Sequence, residues 1–447
     1  MSAERKRRLL SACALAAGLL FAGCDGLFDV ENPNNVKGED LTRPEAASAV
    51  VNGAFGTVAR GLAASLGVYS PVTDEITYIG SRDAWNQLNI GELNDPQNEF
   101  SNVAFPFVAQ GRWMADEAIR VVESFQEEGT LRDPRLLARA YMYGAIAYMN
   151  IADTWEDFAL SDRGEAAPPV GPENMGGLYD TAVDYLTKGL AIASAVNDLD
   201  LRLTMTALRS RAHHAKAVWT LLNPPSGTPA DPLVSSEAAV QDALAFFALG
   251  PDPDWRYAIT LSGDDMVPGG EITLGHNMND RAELQFGPAY VSTDPEDPAA
   301  ITGITFMDLI DDIPDPHVSA EIQAFRDAFI YTTETVVSAR EMHLILAEDA
   351  LANGRTGDAV AQINAVRALD EVTAYDPGVH PETPLEMLRH ERRSSLFLMN
   401  RRLSDMYRFG ITAPAWDPSA DAVVAPGTFF PIPQVERLAN CHIAGTC

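Results

Sequence analysis

Residues 340–369 read REMHLILAEDALANGRTGDAVAQINAVRAL, and this stretch decides the architecture. Apolar side chains at Met342, Leu346, Ala347 and Ala350 recur at the spacing of one helix face. Asn353-Gly354 supplies a stop, and Gly357-Asp358 a restart. The second helix carries Ala359, Ile363 and Val366 on one face. Ala347 and Ala359 place small side chains where two paired helices approach, as in a tetratricopeptide unit of ~34 residues. An unrelated helical hairpin would show the same stripes.

The same periodicity recurs along most of the chain. Helices are expected over roughly Pro44–Ala64, Val103–Glu128, Pro134–Ile151, Gly176–Ala195, Thr204–Leu222, Ser235–Leu249, Val336–Asn353, Asp358–Leu369 and Pro384–Arg408. The fold class is therefore mostly α. Residues 251–316 break the pattern, being rich in Gly, Pro and Asp, with short β-like runs at Glu271–Leu274 and Glu283–Phe286. They read as a long excursion from a helical scaffold, and such excursions often carry function.

Thr383-Pro384-Leu385-Glu386 opens its helix well: Thr383 caps, Pro384 suits the first turn, and Glu386 reaches back as a capping box. Arg402, Asp405 and Arg408 then follow at helical contact spacing, so the charge run reads as a solvated or ion-paired face with a structural role.

Composition narrows the function classes. With 447 residues and 46% hydrophobic content the chain can bury a substantial core, and 21% charged residues argue against wholesale disorder. A formal charge of -31 repels phosphate backbones, which excludes nucleic-acid binding as a main function.

Arg5, Lys6, Arg7 and Arg8 precede an apolar run from Leu9 to Ala22 that ends at Gly23-Cys24. Charged start, short apolar stretch and small residues form a secretory signal, here residues 1–23. The run is shorter than the ~20 residues a spanning helix needs. Phe21-Ala22-Gly23-Cys24 resembles a bacterial lipobox, with Phe21 where Leu is usual. The resemblance implies lipidation of Cys24 and anchoring to a membrane by acyl chains. Residues 24–40 then form a tether, and 41–447 the folded domain. Only Cys441 and Cys447 remain; in an oxidising envelope they read as a small disulfide clamp, with a metal site shared with His442 as the alternative.

Several motifs now combine. Glu391-Arg392-Arg393, Leu396, Arg402, Asp405, Arg408 and Gly410 resemble the Glu-Arg-Arg…Arg…Asp-Leu…Arg…Gly signature of the SusD/RagB family. Phe430-Pro431-Ile432-Pro433, Glu436 and Asn440 are similar to its terminal Pro-Ile-Pro…Glu…Asn motif. The Arg340–Arg367 helix pair, Asp74-Glu75 and the opening Cys24-Asp25…Phe28-Asp29-Val30-Glu31-Asn32-Pro33 also resemble the family, in the same order. Ser395 and Met399 depart from it, standing where Glu is common, and Asn400 replaces a common Gly.

The resemblance implies a tetratricopeptide-like scaffold and a lipid-anchored protein of the outer cell surface. It implies a SusC-like TonB-dependent β-barrel transporter as partner, for which the protein acts as lid. The implied ligand is an oligosaccharide, or in some members a peptide, and no catalysis is implied. An envelope glycoside hydrolase and a pure tetratricopeptide-type interaction scaffold are the rival readings. The scaffold reading leaves residues 251–316 without a purpose.

The residues themselves offer little chemistry. There is no Gly-x-Ser-x-Gly elbow, no His-Glu-x-x-His motif and no phosphate-cradling loop. No cofactor is expected; Asp-rich loops leave structural calcium open, without EF-hand spacing to support it. Asp264-Asp265 and Asp311-Asp312 are acidic pairs of the kind a glycosidase uses, but acidic residues are abundant here.

Sugar binding needs flat rings for C–H faces and polar groups for hydroxyls. Arg82-Asp83-Ala84-Trp85-Asn86-Gln87-Leu88-Asn89 offers both in an expected loop, in a region that supplies binding aromatics in the family. Trp85 is the expected stacking ring, with Arg82, Asn86 and Asn89 as polar partners. Trp255, Tyr257, Phe286 and Tyr290 form a second group in the excursion, Trp255 and Tyr290 being the stronger candidates. Core packing is the alternative for each ring. Trp113, Trp155 and Trp219 lie on helical stretches and are expected in the core.

Overall fold

A computed structural model of the chain describes residues 43–162, 164–262 and 272–447. The signal segment, Cys24 and the tether lie outside the described residues. The chain divides into two units, residues 1–46 and 47–447. The described part of the first contains a short 3-10 turn, Pro44–Ala46. No helix among the described residues is long and apolar enough to cross a membrane.

The second unit is a succession of helix pairs. Helices α1 (Ala47–Tyr69), α2 (Asp83–Asn89), α3 (Glu99–Glu127), α4 (Arg135–Thr154), α5 (Gly177–Ala195), α6 (Leu199–Leu222) and α7 (Glu237–Ala248) build the first part. Helix α1 packs on α3, α4 on α5, and α5 on α6. The first pair is close because it is glycine-lined. A Cβ on Gly61 would sit 3.2 Å from the Phe107 carbonyl oxygen, and one on Gly111 would sit 2.9 Å from that of Thr57. Helices α3, α6 and α7 begin at Asn98, Asp198 and Ser236, whose side chains accept backbone N–H groups.

Helices α8 (Pro316–Asp327), α9 (Ala339–Ala352), α10 (Thr356–Leu369), α11 (Pro384–Ser395) and α12 (Arg402–Phe409) build the second part. Helices α9 and α10 pair as their stripes require: Met342, Ala347, Ala350, Ala359, Ile363 and Val366 are all buried. The turn between them contains Gly354 at φ +70, a conformation that favours glycine. The capping box on α11 is formed, Thr383 and Glu386 serving each other's backbone N–H. Three short helices close the chain: α13 (Asp421–Val424), α14 (Gln434–Ala439) and α15 (Cys441–Ala444).

The segment around 251–316 is stitched to the scaffold by two-stranded antiparallel sheets. Strand β1 (Ile76–Tyr78) pairs with β3 (Leu284–Phe286), and β2 (Arg256–Thr260) with β6 (Thr333–Ser338). Strands β4 (Val291–Thr293) and β5 (Ile301–Ile304) pair with each other. The strand expected at Glu283–Phe286 is present from Leu284. The run Glu271–Leu274 is not a strand where it is described: Ile272–Leu274 leads into a π-helical turn at His276–Asp280, and Glu271 lies outside the described residues.

Two expected helices are corrected. Val336–Ser338 belongs to β6, since its β-branched residues pair with β2 before Ser338 caps α9. The stretch Pro384–Arg408 is two helices, because residues 396–401 turn the chain through Leu398 at φ +55 and Asn400 at φ +58. Asn400 stands where the resemblance has Gly, and asparagine tolerates the left-handed region better than most residues. The Leu398 N–H released by the break donates to buried Glu75 at 2.9 Å.

Candidate functional site

The charged residues of α9 to α12 form a buried frame. Arg402 grips Asp74 through two hydrogen bonds of 2.6 and 2.7 Å, and Arg393 adds a contact to Asp74 at 3.2 Å. Arg392 binds Asp405 at 2.8 and 3.1 Å, and Arg408 binds Asp405 at 2.9 Å. Arg408 also donates to Glu348, whose carboxylate meets His214 at 3.0 Å and accepts the Val234 N–H at 3.0 Å. Arg367 joins Asp308 and Glu391, each at 2.8 Å. Of the two faces expected for the charge run, solvated or ion-paired, the structure has the ion-paired one, and it lies in the interior.

Burial alone would raise the carboxyls of this frame. The charges of Arg402 on Asp74, of Arg392 and Arg408 on Asp405, and of Arg408 and His214 on Glu348 outweigh it and hold all three below the usual carboxylate range. Glu75 has no such grip, and burial pushes it up to about 8. Asp74, Asp405 and Glu348 each hold an arginine and so are not free to serve as an acid–base pair. Asp311 accepts the Thr373 N–H at 2.8 Å, while Asp312 is exposed; Asp264-Asp265 lie outside the described residues.

Most of the expected binding residues turn inward. The expected loop at Arg82–Asn89 is helix α2 with Arg82 as its N-cap residue. Trp85 is 0% exposed and stacks on Phe100 with ring centroids 3.5 Å apart. The face expected to meet a sugar is therefore covered by a phenylalanine. Asn89 is buried and accepts the Tyr78 N–H at 3.1 Å. Tyr290 is 0% exposed, stacked on Phe306, and its hydroxyl accepts from Arg393 at 3.1 Å. Trp255 is half-buried against Phe246, in a different part of the fold. Asn86 is exposed, and Arg82 and Trp255 keep partial access to solvent. Arg82 lies over the Phe100 ring and pairs with Glu99; beside it Glu283 accepts the Ser81 and Arg82 N–H groups at 2.8 and 3.2 Å.

Trp155 is core, as expected, while Trp113 and Trp219 are half-buried. No sequence motif marks the cleft that the described residues build. It lies between the β2–β6 ribbon, helix α8 and the 395–399 turn, with a volume of about 260 Å³. Asp254, Arg256 and Pro316 contribute from the two ends of the excursion; Ser395, Phe397 and Met399 contribute from the signature turn. Arg256 pairs with Glu321 at 2.8 Å across the rim. Arg340 is clamped by Asp254 at 2.8 Å and Asp370 at 2.6 Å. A smaller cavity of about 100 Å³ continues toward Phe325 and Leu398.

Neither metal-like cluster suits an ion. Cys441 and Cys447 are joined in a disulfide, with Cα atoms 4.9 Å apart, so His442 has no thiolates beside it. In the Asp308–His390–Glu391 cluster the guanidinium of Arg367 already binds both carboxylates.

The terminal motif closes the structure. Phe430 exchanges backbone hydrogen bonds with the 154–156 segment: its N–H donates to Thr154 at 3.1 Å, and its carbonyl accepts from Glu156 at 2.9 Å. Asn440 reaches the Ala167 carbonyl at 2.9 Å and Glu436 at 2.9 Å.

A helical-repeat scaffold carries loops that build a polar cleft, with its charges spent on holding the frame. Comparison with solved structures shows the same scaffold: this chain has the SusD-like fold. A SusD superfamily protein from Bacteroides thetaiotaomicron VPI-5482 is 13% identical, with TM-score 0.60 over 89% of this chain and 98% of its own. A SusD homolog from the same organism is 14% identical, with TM-score 0.59 over 90% and 96%. A SusD-like carbohydrate binding protein from Bacteroides vulgatus ATCC 8482 is 12% identical, with TM-score 0.55 over 90% and 98%. No family model and no curated protein matches the sequence.

Proposed function

We propose that this chain binds glycans at the outer surface of the outer membrane, anchored by a lipid on Cys24, and closes as a lid over a SusC-like TonB-dependent β-barrel. The observation that carries the reading is the fold, shared over nine-tenths of the chain with a protein described as carbohydrate binding. The signature motifs support it: each charged residue of the Glu-Arg-Arg run and of Arg402, Asp405 and Arg408 has a defined partner in the buried frame. Arg82 and Asn86 are the members of the expected site around Trp85 that remain available, and they contact ligand on this reading. The protein has no turnover of its own.

Affinity electrophoresis through gels containing different polysaccharides tests this. The chain is retarded by at least one polysaccharide, releases no product from it, and is retarded less as Arg82→Ala or Asn86→Ala. Absence of retardation by any polysaccharide overturns the glycan reading, and product release overturns the non-enzymatic one.

A further inference from the structure

The C-terminal clamp excludes a metal ion only while its two sulfurs are bonded to each other. Cys441, His442 and Cys447 each offer one ligand atom, and the three atoms lie within 4.8 Å of one another. His442 and Cys447 are exposed and Cys441 is half-buried, so a reductant and an ion both reach the group.

The backbone of this loop is closed by its own hydrogen bonds. The Asn440 carbonyl accepts the Ile443 and Ala444 N–H groups at 3.1 and 2.9 Å, and the Cys441 carbonyl accepts those of Thr446 and Cys447 at 2.9 and 3.4 Å. Gly445, at φ +70, makes the turn that brings Cys447 back. The Asn440 side chain accepts the His442 N–H at 3.0 Å and donates to the Ala167 carbonyl at 2.9 Å, which docks the loop on the 161–167 segment. None of these bonds involves sulfur, so none is lost on reduction. The Cα atoms of Cys441 and Cys447, 4.9 Å apart, stay where the backbone holds them. A tetrahedral ion with metal–sulfur bonds of ~2.3 Å needs its two sulfurs roughly 3.8 Å apart, and rotation about the Cα–Cβ bonds supplies that separation.

The histidine is oriented as a ligand. Its Nε2 lies 3.0 Å from the Ala166 carbonyl oxygen, which only accepts, so Nε2 carries the ring proton. The lone pair is then on Nδ1. Metal-binding histidines share this arrangement, with one ring N–H donated to a carbonyl or carboxylate and the other nitrogen on the ion. Two thiolates and an imidazole form a borderline-soft set that suits zinc and leaves a fourth position open. The two thiolates also cancel the charge of a divalent ion, and a chain of formal charge -31 favours the approach of cations.

We propose that the C-terminal loop is a redox-gated zinc site, a disulfide when oxidised and a Cys-His-Cys site for one Zn²⁺ when reduced. A dithiol reductant supplies two electrons and two protons; the S–S bond breaks, and the dithiol itself becomes a disulfide. Zn²⁺ then replaces the two thiol protons, which pass to solvent, and two Zn–S bonds and one Zn–N bond form. Water completes the tetrahedron.

Titration of the full chain with Co²⁺ as spectroscopic probe and Zn²⁺ as competitor tests this, on the oxidised protein and after reduction by a trialkylphosphine. The reduced chain binds one Co²⁺ with a thiolate-to-cobalt charge-transfer band, Zn²⁺ displaces it, and the oxidised chain shows no such band. His442→Ala, at an exposed position that leaves the fold intact, weakens Zn²⁺ binding to the reduced chain at least tenfold. The double variant Cys441→Ser with Cys447→Ser loses the band, which distinguishes this site from Cys13 and Cys24. No band in the reduced chain, the same band in the oxidised chain or in the double serine variant, or Zn²⁺ binding undiminished by His442→Ala overturns the assignment.

Discussion

Arg402→Ala is the sharpest test of the buried frame. The guanidinium makes two charge-assisted bonds to Asp74, and the two side chains are only 5% and 6% exposed. Its removal leaves the Asp74 carboxylate buried with the single Arg393 contact at 3.2 Å. Breaking one side of such a pair costs about 3–5 kcal/mol, because an uncompensated charge stays in the interior. With a urea slope of roughly 3 kcal/mol per molar, the midpoint falls by about 1–1.7 M. The matched double variant Asp74→Leu with Arg402→Met removes both charges and recovers most of that loss, since replacing a whole buried pair by apolar groups is often neutral. Urea unfolding followed by circular dichroism, on Asp74→Leu, Arg402→Met and the double, completes the cycle. A loss under 1 kcal/mol for Arg402→Ala, or a double variant no better than the singles, would refute the claim that this pair holds α12 to the segment after α1.

Trp85→Ala loses stability by about 3–5 kcal/mol in the same assay, because a ring stacked on Phe100 in the core leaves a cavity; unchanged stability would return Trp85 to the surface. Two sets of buried carboxyls shape the pH dependence of stability in opposite senses. Asp74, Asp405 and Glu348 titrate below their ordinary values, so their contribution is present above about pH 4.5 and lost as the pH falls. Glu75 works in the opposite sense: raised to about 8, its contribution is full below about pH 4.5 and lost as the pH rises through 8. Glu75→Gln therefore flattens the alkaline limb of a midpoint-against-pH curve, and an unchanged limb contradicts the assignment. Reduction of Cys441–Cys447 adds the mass of two hydrogens and lowers stability by no more than about 2.5 kcal/mol, because the closed loop is short; a loss above 4 kcal/mol would mean that the C-terminus holds the fold together.

Helices were legible in the sequence wherever one face repeats. The α9–α10 hairpin follows from its stripes and its Asn-Gly stop, and α11 from its capping box. What was not legible depends on partners far away in sequence. The 396–401 break exists because Leu398 answers Glu75 and Arg401 answers Glu341, contacts that local periodicity cannot register. Asn400 in place of Gly was the one local sign of that turn. Trp85 was misread for the opposite reason. A tryptophan among polar neighbours looks exposed, but α2 turns it onto Phe100 while Asn86 faces water. The cleft was invisible because its walls come from residues near 255, 317, 337 and 397, which β2–β6 pairing and α8 bring together. Ser395 and Met399 were legible only as departures from a family signature, and the structure places both on the cleft wall.

The measurement that bears most directly on the account is co-purification of the tagged full-length chain from its native membrane in mild detergent. A large β-barrel recovered in near-stoichiometric amount is the predicted result. Recovery of the chain alone, from membranes in which such a barrel is shown to be present, would contradict the transporter-lid reading.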